Sequence, residues 1–230
     1  YNQIAIWLAI LAASSCTGSD EATTSSAAGP TRGKLEGVFA GSVVSGLRYA
    51  TASGSGTTDE QGRFFYDAGE TLRFAIGELA IGSAAGAARV TALDLVQGAQ
   101  DASHPQVTNL LVLLQTLDQD GDLNNGIQIT PEIAAVVSKH DKDLRLDQAS
   151  ADFAADEQVS ALLQDLNDAH VFTDTDPRAR PLRRASAARE LFSRATAERK
   201  LIETQQGQLS GYAANAETWQ WLGIPYAKPP

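Results

Sequence analysis

The chain has no methionine, position 1 included, and a single cysteine among its 230 residues. One cysteine excludes an internal disulfide, so stability must come from a packed core. The missing methionine leads us to expect a reading frame that starts upstream of Tyr1. Histidine is scarce: His104, His140 and His170 all fall in a region expected to be helical, where each reads as a surface or cap residue. Basic residues are in deficit, with 18 Lys and Arg against 28 Asp and Glu, for a net charge of −10. A phosphate-binding surface needs a basic face, so the acidic body argues against nucleic acid as a partner. The hydrophobic run Ile4–Ala13 is too short to span a bilayer as a helix. Apolar residues at 43% and charged residues at 20% are the proportions of a globular chain, of one or two domains at this length.

The short apolar run, the small residues Ser14 and Ser15, and then Cys16 have the order of an export signal. Ala13-Ser14-Ser15-Cys16 resembles a bacterial lipobox, with Ala13 where that pattern usually has leucine. The resemblance implies cleavage before Cys16 and acylation of its sulfur, with residues 1–15 removed. A free cysteine behind an ordinary signal is the other reading. Residues 16–33 are small and polar with no hydrophobic period, as expected of a flexible tether. Such a tether reaches roughly 20–25 Å, enough to lift a domain off a lipid surface.

Residues 34–176 are expected to form one α+β module. Its first part is a small β-sandwich-like unit of short strands bounded by glycines, over LEGVFAG, LRYATAS, GRFFYDAG, TLRFAIG, LAIG and ARVTALDL. In GRFFYDAG, Phe64 and Tyr66 take one face and Phe65 the other. The stretch from Ser45 to Tyr66 resembles β-sandwich modules of bacterial surface proteins. Helices follow. One starts at His104-Pro105, with Val107, Leu110, Leu111, Leu114 and Leu117 as its stripe. A second opens at Thr130-Pro131-Glu132, and a third runs from Asp156 to Ala169 with Val159, Leu162, Leu163 and Leu166 inward.

Charge changes sign after this module. Residues 177–200 carry eight Arg and Lys against Glu190 and Glu198. The pattern predicts a basic connector over 177–206, with a long helix across 182–204 whose apolar side is Leu182, Ala185, Leu191, Phe192, Ala195 and Ile202. It reads as a helix lying on the chain's own acidic module, or else on anionic lipid or an acidic partner.

Asp118-Gln119-Asp120-Gly121-Asp122-Leu123-Asn124 places oxygen ligands at alternate positions, as in the first half of a calcium loop. Glycine stands fourth rather than sixth, and the twelfth position is Ile129 rather than glutamate. Asp118, Asp120, Asp122 and Asn124 are therefore candidates for structural calcium, against the plainer reading of a polar turn that ends a helix. No other cofactor is expected.

Residues 207–230 carry the functional signal. Gly207-Gln208-Leu209-Ser210-Gly211 precedes Trp219-Gln220-Trp221-Leu222-Gly223-Ile224-Pro225-Tyr226-Ala227-Lys228-Pro229-Pro230. Leu209 and the Trp219–Leu222 run predict two antiparallel strands joined near 213–217, and Pro225 cannot continue a central strand. The two halves, in this order and at this spacing, resemble the opening of the type-B carboxylesterase domain, an α/β-hydrolase. The resemblance implies a serine esterase acting on carboxylic esters, and a chain whose fold continues into an α/β-hydrolase sheet. No G-x-S-x-G elbow occurs, since Gly54-Ser55-Gly56 has the wrong spacing, and there is no H-G-G-G run. No catalytic residue is assigned: the triad and oxyanion hole are expected beyond residue 230. The implied protein is exported and held at the cell envelope by lipidated Cys16. The alternative is a non-enzymatic surface lipoprotein whose β-rich module binds a protein or polysaccharide.

Overall fold

Alternation of exposed and buried positions sets the strands of the first half. Across Thr71–Ile76 the even positions Leu72, Phe74 and Ile76 are buried and Thr71 and Arg73 are exposed, as a strand with one covered face requires. In the computed structural model the described residues are 34–173, 179–197, 199–204, 207–213 and 219–220. Cys16, the tether and the run Trp221–Pro230 lie outside them.

The strands β1 (Leu35–Ala40), β2 (Val44–Ser45), β3 (Arg48–Ala50), β4 (Ser55–Thr57), β5 (Arg63–Tyr66), β6 (Thr71–Ile76), β7 (Leu79–Ala85) and β8 (Arg89–Thr91) come first. Helix α1 (Pro105–Thr116), strand β9 (Ile127–Gln128) and helices α2 (Pro131–Ser138), α3 (Ser150–Ala155), α4 (Glu157–Asp168) and α5 (Ala185–Thr196) follow. Strands β10 (Arg199–Thr204), β11 (Gly207–Ala213) and β12 (Trp219–Gln220) end the described chain. The class is α+β. One sheet has the order β5-β1-β8, with β5 antiparallel and β8 parallel to β1. A second, β4-β3-β6-β7, is antiparallel throughout.

The two sheets meet through aromatic rings. Phe74 of the second sheet lies edge-on to Phe39 and Phe64 of the first, with centroids 5.3 and 5.4 Å apart. That geometry sets each ring's positive edge against a negative face. Phe64 and Tyr66 are buried and Phe65 is half-buried, as the alternation predicts.

Helix α1 has Pro105 in its first turn, where a missing N–H costs nothing. Its burial is wider than the expected stripe: every residue from Val107 to Thr116 is buried. Polar residues on its far side are therefore enclosed and need partners. Asn109 Nδ2 donates to the carbonyls of Leu146 (2.9 Å) and Gln148 (2.8 Å). Gln115 Nε2 donates to Ala188 O at 3.0 Å, which ties α1 to α5. Thr130 caps α2, its hydroxyl accepting from Ile133 N, and Asp156 caps α4 by accepting from Gln158 N. In α4, Val159, Leu162 and Leu166 are buried while Leu163 is half-buried.

The predicted long helix over 182–204 is corrected. It occupies only Ala185–Thr196, and residues 199–204 form β10, paired antiparallel with β11 from Arg199↔Tyr212 to Thr204↔Gly207. The side buried by α5 is Ala188 and Phe192, while the expected Ala195 is exposed. A hairpin partner two residues downstream outweighs helix propensity here, because strand pairing is decided by context more than by composition. Strand β11 also pairs with β12, Tyr212↔Gln220 and Ala213↔Trp219, so it is the middle of three strands.

Candidate functional site

The loop from Asp118 to Gly126 is held at both ends by the core. Leu117, the C-cap of α1, is fully buried, and the chain enters the loop before it can reach solvent. On the return side Ile127 and Ile129 are buried, and β9 pairs in parallel with β2. The base is closed by Gln119 N donating to Gln128 O at 3.0 Å. Gly121 (φ 76°) and Gly126 (φ 108°) supply the left-handed turns of the loop.

Asp118 is completely buried, an unusual place for a carboxylate. Its Oδ1 accepts from Gln128 N at 2.9 Å, and its Oδ2 has no hydrogen-bond partner. Burial pushes the acid up to about 6, against the Gln128 N–H, and the neighbouring Asp120 carboxylate pushes the same way. Asp120 itself is held below the usual carboxylate range, first by the Asn125 amide (2.8 Å) and then by the Asp122 N–H (2.9 Å). Asp122 Oδ1 accepts from both the backbone N and the Nδ2 of Asn124.

Of the four calcium candidates, the fold thus brings together Asp118 and Asp120, while Asp122 and Asn124 bond to each other. Among the described residues no three His, Cys, Asp or Glu side chains converge as a metal-binding group. The histidines stand apart in the fold. His104 caps α1 without a side-chain bond, His140 Nε2 lies 2.9 Å from Asp165 Oδ2, and His170 follows α4 at φ 53°.

A clamp on the loop was not legible in the sequence. Arg180 donates from Nη1 to Asp118 O and from Nη2 to Gln119 O at 3.3 Å. Its guanidinium lies 4.0 Å from the centroid of the Phe172 ring. Asn167 fixes its backbone: Oδ1 accepts from Arg180 N at 2.8 Å and Nδ2 donates to Arg180 O at 3.3 Å. Asn167 is thus a structural tie. Sequence separations of 61 and 62 residues from Arg180 to the carbonyls it holds leave no local signal for the contact.

Arg180→Ala should lower stability by about 2 kcal/mol, from lost charge-assisted bonds and cation–π contact. Arg180→Lys should recover only part of it, because an ammonium cannot reproduce the planar fork. Urea unfolding measures both, and faster amide exchange at Gln119 and Gln128 should accompany the loss.

A helix-capped module of two ring-packed sheets, carrying a closed acidic loop, is the class that the fold defines. No family model, curated protein or solved structure matches the chain. Among the described residues no helix is long and apolar enough to cross a membrane.

Proposed function

We propose that this chain is the leading part of an exported, lipid-anchored carboxylesterase of the type-B family. The run from Gly207 to Pro230 carries the reading: a G-x-L-x-G segment, then tryptophans and G-I-P-Y-A-x-P-P in the family's order. The antiparallel pairing of β11 with β12 supports it, since the motif needs two adjacent strands there. Residues 34–173 have their own core and hold no nucleophile elbow, which suits a spacer or docking module ahead of a catalytic domain. The proposed reaction is hydrolysis of carboxylic esters through an acyl-serine, on a serine beyond residue 230. Acylated Cys16 holds the enzyme at the cell envelope.

Reading the gene past the codon for Pro230 tests the proposal directly. An in-frame G-x-S-x-G elbow, and a whole protein that turns over p-nitrophenyl acetate and is labelled by a serine-directed inhibitor, are expected. The 230 residues alone should be no more active than an albumin control. A stop codon after Pro230 would leave the surface-lipoprotein reading in its place. Palmitate labelling tests the anchor separately: Cys16→Ala should abolish incorporation and move the whole protein into the soluble fraction. Equal labelling of Cys16→Ala would remove the anchor and leave the esterase reading intact.

A further inference from the structure

A carboxylate enclosed by protein is tolerated when each oxygen has a donor or a cation, because an unmatched buried acceptor forfeits its hydration. Asp118 breaks that rule at Oδ2, in a loop that also carries the oxygen-bearing side chains of Gln119, Asp120, Asp122, Asn124 and Asn125. We propose that the loop between α1 and β9 is a calcium site, with the carboxylates of Asp118 and Asp120 as its charged ligands. Asp118 is fully buried, its Oδ2 has no donor, and it is flanked by a second carboxylate two residues on. Two carboxylates side by side must share a proton or a cation, and the Arg180 guanidinium, engaged with the loop carbonyls, offsets their charge only in part.

The donor chemistry selects the ion. Carboxylates, amide oxygens and carbonyls are hard ligands, which excludes metals that demand sulfur or imidazole. Calcium accepts six to eight oxygens in an irregular cage, whereas magnesium requires near-octahedral geometry and keeps its waters. Water would complete most of the shell around the two carboxylates, since Arg180 occupies the carbonyls of Asp118 and Gln119. With so few charged ligands the affinity belongs at the weak end, roughly 10⁻⁴–10⁻³ M, the range of extracellular modules. The ion would fasten the turn between α1 and β9, which links the helices to the sheets.

The test is calcium titration of the full chain after EDTA dialysis, by calorimetry and by thermal unfolding. One site per chain is expected, with a rise in melting temperature of roughly 5 °C near a hundredfold excess over Kd. Magnesium chloride at equal concentration should give a clearly smaller rise. Asp118→Asn and Asp120→Asn should each weaken calcium binding by about tenfold or more. Asp152→Asn, an exposed acid on α3, should leave the titration unchanged. If Asp118→Asn fails to fold, the half-buried Asp120→Asn decides alone. Absence of heat and of any melting shift overturns the proposal, and so does a full calcium response in the folded variants. A wild-type chain indifferent to calcium, with Asp118→Asn melting higher in EDTA, would assign the pair to a shared proton and overturn it too.

Discussion

Phe74→Ala should destabilise the module by about 4 kcal/mol, the upper range for removing a buried aromatic ring. Phe74 is 1% exposed in the middle of β6, and its ring packs on two rings of the facing sheet. Three losses coincide there. The ring's transfer out of water is forfeited, a cavity opens where Phe39 and Phe64 pack, and two edge-to-face contacts vanish. The surrounding sheets are fixed by their ladders on both sides of Phe74, in register with Tyr49 and Gly82, so collapse into the cavity is restricted. Urea unfolding of the wild type and variant gives the difference directly. Phe65→Ala is the control, because Phe65 is only half-buried and points to the opposite face of β5. It should cost well under half as much. Equal losses for the two variants would mean that the rings are interchangeable filling and that the sheets do not depend on this contact.

The two faces of β5 were legible in advance because strand periodicity is a local property. R-F-F-Y and T-L-R-F-A-I state their own buried faces, and the capped starts at Thr130 and Asp156 state their own helices. What escaped was decided at long range. β2 and β9 are two-residue strands that exist only because each finds the other across 83 positions, Val44 to Ile127. Helix α3 is six residues long and buries one side chain, Phe153, so no period can show in it. Strand β10 reads as the end of a basic helix until β11 supplies its partner. The candidate site divides the same way. Alternating oxygens from Asp118 to Asn124 mark the loop in the sequence. That Asp118 alone is enclosed follows from α1 being covered on every side, a fact about its neighbours rather than its own residues. Arg180 and Asn167 belong to the site for the same reason and carry no motif.

The second large effect concerns how that loop is anchored. Gly46→Ala should cost about 3 kcal/mol or more and should weaken the calcium response in parallel. Gly46 has φ 84°, where a β-carbon costs roughly 1–2 kcal/mol. An alanine Cβ would also stand 1.8 Å from the carbonyl oxygen of Ile129, closer than any real contact. That oxygen belongs to backbone and cannot swing aside, so relief requires β2 and β9 to separate, at a further cost of about 1–3 kcal/mol for overpacking. Separation strikes a dense set of bonds. Gly46 N donates to Thr58 O, Ile127 N to Val43 O and Ile129 N to Ser45 O. Thr58 Oγ1 donates to Val44 O while accepting from Leu47 N. Gln128, between Ile127 and Ile129, supplies the N–H that holds Asp118 Oδ1. A shift of β9 therefore moves the backbone donor that positions the buried carboxylate. Gly69→Ala separates the two causes, because Gly69 has φ 83° and open space around its missing Cβ. It should show the backbone cost alone, about 1–2 kcal/mol, with calcium binding untouched. If Gly46→Ala loses no more than Gly69→Ala, the contact with Ile129 is easily relieved, and the β2–β9 pair is not what fixes the loop.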